Sequence, residues 1–263
     1  MRLNTKKLTY GGLMTALVFV ATAFVPQIPI PFTQGYVHLG DSMVFVAAIL
    51  LGWQYGAIAG GLGSALADLY LGFYIWILPT LIIKALMGAI VGFMGKTYRE
   101  KKLKAIKNVI NVVIGGGWII TGVYMKNLLN VRLREIENSE LAMKLVNEFE
   151  QIKNLQDLSN LIDYVQSFLL AAIVIIPLVV VMISILFRYK DKEVFGLSNL
   201  VGMATAGIWM VIGYYFAGSL ITGSLIVPIF SVPFNILQFV VGVVIAFPIS
   251  IAIKRTRYLD NIQ

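Results

Sequence analysis

Residues 39–95 read LGDSMVFVAAILLGWQYGAIAGGLGSALADLYLGFYIWILPTLIIKALMGAIVGFMG. The stretch holds a single cation, Lys84, and two carboxylates, Asp41 and Asp68; nearly everything else in it is apolar or small. A helix needs about 20 apolar residues to cross a bilayer, so the segment accommodates three passes, over 39–52, 54–72 and 77–95. The first two are divided at Gly52-Trp53-Gln54-Tyr55-Gly56, where glycine permits a tight turn and the other residues suit an interface. The first pass is short. Working outward, the same reading predicts spans over 10–32, 106–125, 166–187, 197–217 and 228–253, eight in all. The span at 106–125 is the least regular, with Gly115-Gly116-Gly117 in its interior and Asn108 and Asn111 near its start.

Composition supports a membrane solvent. Of 263 residues, 59% are hydrophobic and 13% charged, and the mean hydropathy is +0.84. Soluble domains carry about 25% charged residues, and a chain of this length could not hide so much apolar surface in one core. The absence of cysteine excludes disulfides, thiolate metal sites and cysteine nucleophiles, and a lone histidine leaves no basis for a histidine-rich metal site. No metal or cofactor is expected. The net charge of +8 would suggest nucleic acid in a soluble protein, but here the placement of the cations decides. Arg2, Lys6 and Lys7 precede the first span, six cations lie between Lys96 and Lys107, Arg188, Lys190 and Lys192 follow the sixth span, and Lys254, Arg255 and Arg257 follow the last. Apart from Lys84, the rest sit in one segment, 126–165. Both termini are therefore expected in the cytoplasm, which requires an even number of spans. Lys6-Lys7, the apolar run after them and Ala21-Thr22-Ala23 imitate a signal peptide, but the run meets Pro26, Pro29 and Pro31, and its removal would invert the charge topology. A retained first span is the better reading.

Three units follow: spans one to four over 1–97, an insertion over 98–196, and the last two spans over 197–263. The insertion starts with a basic run, and Leu145, Phe149, Ile152, Leu155, Leu158, Ile162 and Val165 recur at helical spacing along one stripe. It reads as a two-span hairpin carrying an external amphipathic helix.

Polar residues inside the remaining spans are costly and so mark candidate sites. Asp68 and Lys84, on antiparallel neighbours, are expected at similar depth, as an ion pair or facing a ligand. Asp41 stands where the chain re-enters the membrane, as a helix cap or a ligand contact. His38 reads as an interface residue. Asn235 and Gln238 share one helical face and offer both donors and acceptors, either between helices or to a neutral heterocycle or polyol. Tyr70, Tyr74, Trp76, Tyr214 and Tyr215 fall at the same level, as an aromatic belt or a stacking surface. These residues gather towards the outer face, which implies an outward-opening pocket for a small molecule. There is no Gly-x-x-x-x-Gly-Lys-Ser/Thr motif for ATP, so ATP-driven uptake would need a partner.

Leu39-Gly40-Asp41, Gly56-x3-Gly60-Gly61-x-Gly63-Ser64-x3-Asp68-Leu69, Pro79-Thr80-x3-Lys84, Gly213-Tyr214 and Pro233-x-Asn235-x2-Gln238, in this order, resemble the substrate-binding S components of energy-coupling factor (ECF) transporters, in the riboflavin-transporter-like branch. The resemblance implies an all-α integral membrane protein: a six-helix S-component bundle, here with the inserted two-span hairpin. It implies a subunit in the bacterial cell membrane, not an enzyme. Such a subunit binds a vitamin or precursor of riboflavin, pyridoxine or hydroxymethylpyrimidine type from outside and docks on a T protein carrying two ATP-binding subunits. The candidate substrate contacts remain those read from the spans: Asp41, Asp68, Lys84, Tyr214, Asn235 and Gln238. The resemblance places docking on a small-x-x-x-small stripe of the first helix, for which Gly12-x-x-x-Ala16 is the match. Two other readings stand beside it: a self-sufficient ion-coupled secondary transporter using Asp68 and Lys84, and a membrane-anchored enzyme or sensor acting through 126–165. Nucleic acid is not an expected partner.

Overall fold

A computed structural model of the chain describes residues 5–99 and 197–256, apart from 31, 32, 34 and 226, and scattered positions between 120 and 167. Six helices carry the described architecture: α1 (Thr5–Ala23), α2 (Gly40–Leu51), α3 (Trp53–Leu71), α4 (Ile77–Arg99), α5 (Leu197–Thr222) and α6 (Ser231–Arg255). Short 3-10 turns, Tyr74–Trp76 and Val227–Phe230, lead into α4 and α6. Among the described residues, three stretches are long and apolar enough to cross a bilayer: Tyr74–Gly95, Gly202–Thr222 and Val227–Ile253. The spans expected at 106–125 and 166–187, and with them most of the 98–196 insertion, lie outside the described residues. From its amphipathic stripe, Leu158 and Ile162 are buried in the main apolar cluster, whereas Leu155 is exposed.

The first predicted span is corrected at its end. Helix α1 stops at Ala23, because a helical Pro26 would lack an N–H and collide with the carbonyl four residues back. The Gln27 amide closes that end, donating to the carbonyls of Thr22 at 3.1 Å and Ala23 at 2.8 Å. Beyond it the chain forms an antiparallel hairpin, β1 (Ile28–Ile30) with β2 (Gly35–Val37), in the register Ile28 to Val37. Among the described residues the fold is thus helical with one small β element. Pro29 is tolerated because a two-stranded ribbon consists of edges.

Helix α2 has 12 residues, about 18 Å at the usual rise and too short for a hydrocarbon core of about 30 Å. It is apolar on every side and nearly all buried, as expected for a helix enclosed by others: α1, α3, α4 and α6 all pack on it. Gly52, at φ 85°, makes the sharp turn from α2 into α3, as its sequence context predicts.

The glycines of α3 set the spacing of the bundle. Helix α3 has its broadest contact with α4, where a Cβ on Gly88 would lie 2.1 Å from the Gly56 carbonyl oxygen and one on Gly60 2.6 Å from the Lys84 carbonyl oxygen. Backbone meets backbone there, so nothing flexible can yield. We predict that Gly60→Leu or Gly88→Val lowers the melting temperature of the detergent-solubilised protein by at least about 5 °C, since overpacking typically costs about 1–3 kcal/mol. Gly12→Ala, where an added Cβ meets nothing within 4 Å, should be neutral in the same assay.

Candidate functional site

At one end of the bundle a cleft of about 540 Å³, counting the space at its open mouth, is lined from the β hairpin, the end of α3, the starts of α4 and α6 and the last turns of α5. Its polar lining comprises Thr33, Tyr36, His38, Asp68, Trp76, Thr80, Tyr214, Thr222, Ser231, Asn235 and Gln238. The element order puts Lys6 and Lys7, the C-terminal end of α4 and Lys254-Arg255 at the opposite end of the bundle.

Local caps place each wall. Gly72, left-handed at φ 84°, ends α3. Its N–H donates to the Leu69 carbonyl and that of Phe73 to the Asp68 carbonyl, the paired pattern of a Schellman cap. This holds Asp68 at the helix end with its side chain in the cleft. Tyr36 of β2 stacks on Phe73, centroids 4.6 Å apart, and its hydroxyl donates to Asp68 Oδ1 at 2.8 Å. Trp76 packs at a tilt against Tyr214, 5.8 Å between centroids, and the Tyr214 hydroxyl donates to Thr80 Oγ1 at 3.3 Å. On α6, Asn235 Nδ2 donates to Ser231 Oγ at 3.4 Å.

Beneath the lining lies a buried charge pair. Lys84 Nζ donates to Asp41 Oδ1, both side chains having no exposure; it also contacts Met210 Sδ at 3.2 Å and lies 5.3 Å from the Tyr214 ring centroid. The other oxygen, Asp41 Oδ2, accepts from Gln238 Nε2 at 2.8 Å, and Gln238 Oε1 accepts from the His38 backbone N–H at 3.0 Å. Gln238 therefore joins the cleft to the pair and to the hairpin. His38 Nδ1 accepts the Gly40 N–H at 3.0 Å, which assigns the ring proton to Nε2. Burial first, and the Lys84 charge second, push the imidazole down from its ordinary 6.5 to about 3, so it is neutral at physiological pH.

Four of the six expected ligand-facing residues, Asp68, Tyr214, Asn235 and Gln238, share the cleft, while Asp41 and Lys84 lie below it. Lys84 pairs with Asp41 rather than with Asp68. Asp41 makes no cap: Leu39 holds the N-cap position without a side-chain bond, and His38 takes the Gly40 N–H instead. A buried ammonium outcompetes a cap, since Coulomb attraction at low dielectric exceeds the about 0.5–2 kcal/mol a cap contributes. His38 is buried and is no interface residue. Tyr36 had no signal of its own beyond standing beside His38, and Thr80 stood only within the motif Pro79-Thr80-x3-Lys84. Gly12 and Ala16 are both exposed on α1.

Comparison with known proteins gives a family. The family described as ECF-type riboflavin transporter, S component, matches residues 2–152 and 153–255. An uncharacterised protein of Pyrococcus woesei is 48% identical over 97 residues, 36% of this chain and 65% of that protein. The thiamine precursor transporter HmpT of Lactococcus lactis is 34% identical over 120 residues, 45% of this chain and 69% of HmpT. The chain thus spans about two thirds of the length of each. No solved structure matches it significantly.

Two predictions arise from the buried network. Lys84→Met strands a carboxylate and should cost about 3–5 kcal/mol, whereas the double variant Asp41→Leu/Lys84→Met should regain most of that loss; thermal melting of the three proteins measures it, and equal losses in single and double variants would refute the coupling. His38 binds its proton below about 6.5 in the unfolded chain but only near 3 in the folded one, so its contribution to stability falls as pH drops from about 6.5 towards 3. His38→Asn should therefore lose less melting temperature than wild type between pH 7 and pH 5.

Proposed function

The chain belongs to the family of ECF-type riboflavin transporter S components, transport subunits rather than enzymes, and from that membership we propose that it captures a small vitamin or vitamin precursor at the outer face of a cell membrane. It is a multi-pass membrane protein. The observation that carries the proposal is the polar cleft at one end of an otherwise apolar bundle, at the end away from the cationic flanks. Cations prefer the cytoplasmic side, so this orientation sets the cleft outward and both termini inside. Candidate ligands are riboflavin, pyridoxine-type compounds and hydroxymethylpyrimidine-type compounds; the similarity to a thiamine precursor transporter supports the last. Asp68, Tyr214, Asn235 and Gln238 would contact the ligand directly, and Asp41 and Lys84 would support Gln238 from below.

Import would be driven by a T protein with two ATP-binding subunits, since the chain lacks a phosphate-binding loop. Gly12 and Ala16 offer the docking stripe: both are exposed, and an added side chain at Gly12 meets no neighbour within the protein. Small residues at such a position let a partner helix approach closely. The 98–196 segment we propose as an inserted hairpin between the fourth and fifth helices of the core.

Three measurements test this. Mass spectrometry of the small molecule that co-purifies with the detergent-solubilised protein should find a vitamin or precursor. Asn235→Ala should weaken its binding about tenfold at preserved melting temperature, and Gln238→Ala should weaken it with a lowered melting temperature, because Gln238 also pairs Asp41 Oδ2 and the His38 N–H; unchanged affinity in both would make the amides structural. Gly12→Leu and Ala16→Leu should lower co-purification with the T protein while ligand binding persists. Uptake by the chain alone in liposomes under an ion gradient would instead establish a secondary transporter.

A further inference from the structure

The helices packed around α2 do not by themselves close a ring. Val44 and Ala48 face α3, where a Cβ on Gly60 would lie 2.9 Å from Val44 Cγ1 and one on Gly56 2.8 Å from Ala48. Phe45 meets Phe239 of α6 edge-on, 6.1 Å between centroids, and Gly40 backs onto Thr22 of α1. At about 100° per residue, the face left over carries Met43, Val46 and Leu50 and points between α1 and α6. Among the described residues those two helices share no broad contact, so this face would lie open to lipid. Instead Val46 has no exposure, Leu50 is buried and Met43 is half-buried against the main apolar cluster. Something covers the seam.

The described part of the insertion supplies a match. Asn154 Oδ1 accepts the Asp157 N–H at 2.8 Å, the bond of a helix N-cap, and positions 155–160 and 162–164 are helical. Leu155, Gln156, Asn160, Asp163 and Tyr164 are exposed, whereas Leu158 and Ile162, one turn apart, are buried. Both belong to the same apolar cluster as Val46 and Leu50 of α2, Met14 and Val18 of α1, and Val243 and Phe247 of α6. Residues four apart lie one above the other on a helix, so the buried edge is one side chain wide, the width of a seam between two helices.

We propose that the insertion is a strap: its helix at Leu158 and Ile162 lies over the seam between α1 and α6 and closes the ring around α2 by seating these two side chains against Met43, Val46 and Leu50. Helices α1 and α6, which lack a broad contact of their own, are then tied through a third element. Gly12 and Ala16 stay exposed on α1, so the strap does not compete for the face offered to a partner helix. Only two side chains are seated, and the Asp41–Lys84 pair lies on the opposite flank of α2, so the strap can lift while the buried charges keep their partners.

The chain has no cysteine, so introduced pairs report proximity without background. In the full chain in nanodiscs, Met43→Cys/Leu158→Cys or Met43→Cys/Ile162→Cys should cross-link within one chain under copper phenanthroline or a short bis-maleimide. The yield should exceed that of Met43→Cys/Leu155→Cys at least about fivefold, because a disulfide joins only neighbouring Cβ atoms. Met43→Cys alone should react with a lipid-soluble maleimide about tenfold or more faster once Leu158→Asp/Ile162→Asp is added, since carboxylates do not stay seated in an apolar seam. Should that charged variant fail to fold, the cross-links decide by themselves. Cross-links no stronger than with Leu155→Cys, or equal labelling with and without the charges, overturn the strap and leave lipid in the seam. Cross-links formed only between chains overturn it in favour of a second copy. Vitamin capture, read at the cleft, stands or falls separately.

Discussion

The Asp41–Lys84 pair has no exposure to solvent, and three helices converge on it. Asp41 comes from the first turn of α2, Lys84 from α4, and the second carboxylate oxygen is taken by Gln238 of α6. Removing two charges from water is expensive, and their mutual attraction offsets this only when geometry is good and the remaining lone pairs are satisfied. A pair in this position contributes registry more than net stability: a slide of α2 or α4 along its axis separates the two charges, and a slide of α6 withdraws the Gln238 amide from Asp41. The approach of α3 enforces the same register from the other side, because Gly60 brings its backbone against the Lys84 carbonyl. A side chain there would push α4 away and lift the ammonium from Asp41.

Once that register is set, the cleft follows from chain direction. Helices α3 and α5 end, and α2, α4 and α6 begin, at the same end of the bundle. Polar residues placed in last or first turns therefore meet one another, with the hairpin leaning over them through Tyr36 and His38. Gln238 is the hinge between levels, bonded upward to the His38 backbone and downward to Asp41. A change at the cleft that moved this amide would be felt at once by the hairpin and by the buried pair, because it has one bond to each.

Periodicity and charge made the helical membrane architecture legible, and Gly52, Asp68, Asn235 and Gln238 stood out because a polar or helix-breaking residue inside an apolar run has few harmless explanations. The hairpin at 28–37 escaped notice. Its strands have three residues each, too few for an alternating pattern to rise above the three prolines and apolar residues around it. The partner of Lys84 was misjudged for a different reason: sequence spacing orders residues along one helix, but which of two carboxylates reaches a given lysine depends on how far neighbouring helices are offset. Here the Lys84 backbone lies against Gly60, eight residues before Asp68 on α3, so Lys84 sits below Asp68, where Asp41 of α2 reaches it. His38 was unreadable because a lone histidine near a helix start looks the same whether its ring faces lipid headgroups or replaces a missing cap.

The motifs that tie this chain to its family divide by role when seen in three dimensions. Gly56, Gly60 and Gly63 are packing residues; an added side chain at any of them would strike backbone or side-chain atoms of α1, α2 or α4 at 2.9 Å or less. Gly213 fits against Ile83 in the same way, though less tightly. Asp41 and Lys84 are held inside the scaffold those contacts create. Asp68, Thr80, Tyr214, Asn235 and Gln238 open to the cleft, and of these Asp68 alone keeps a buried side-chain atom unpartnered. Shared scaffold residues are therefore compatible with different cargoes, since the cleft-facing groups are few; of these, Gln238 is also tied to the scaffold through Asp41, whereas Asp68, Tyr214 and Asn235 make no contact with the buried ion pair's carboxylate.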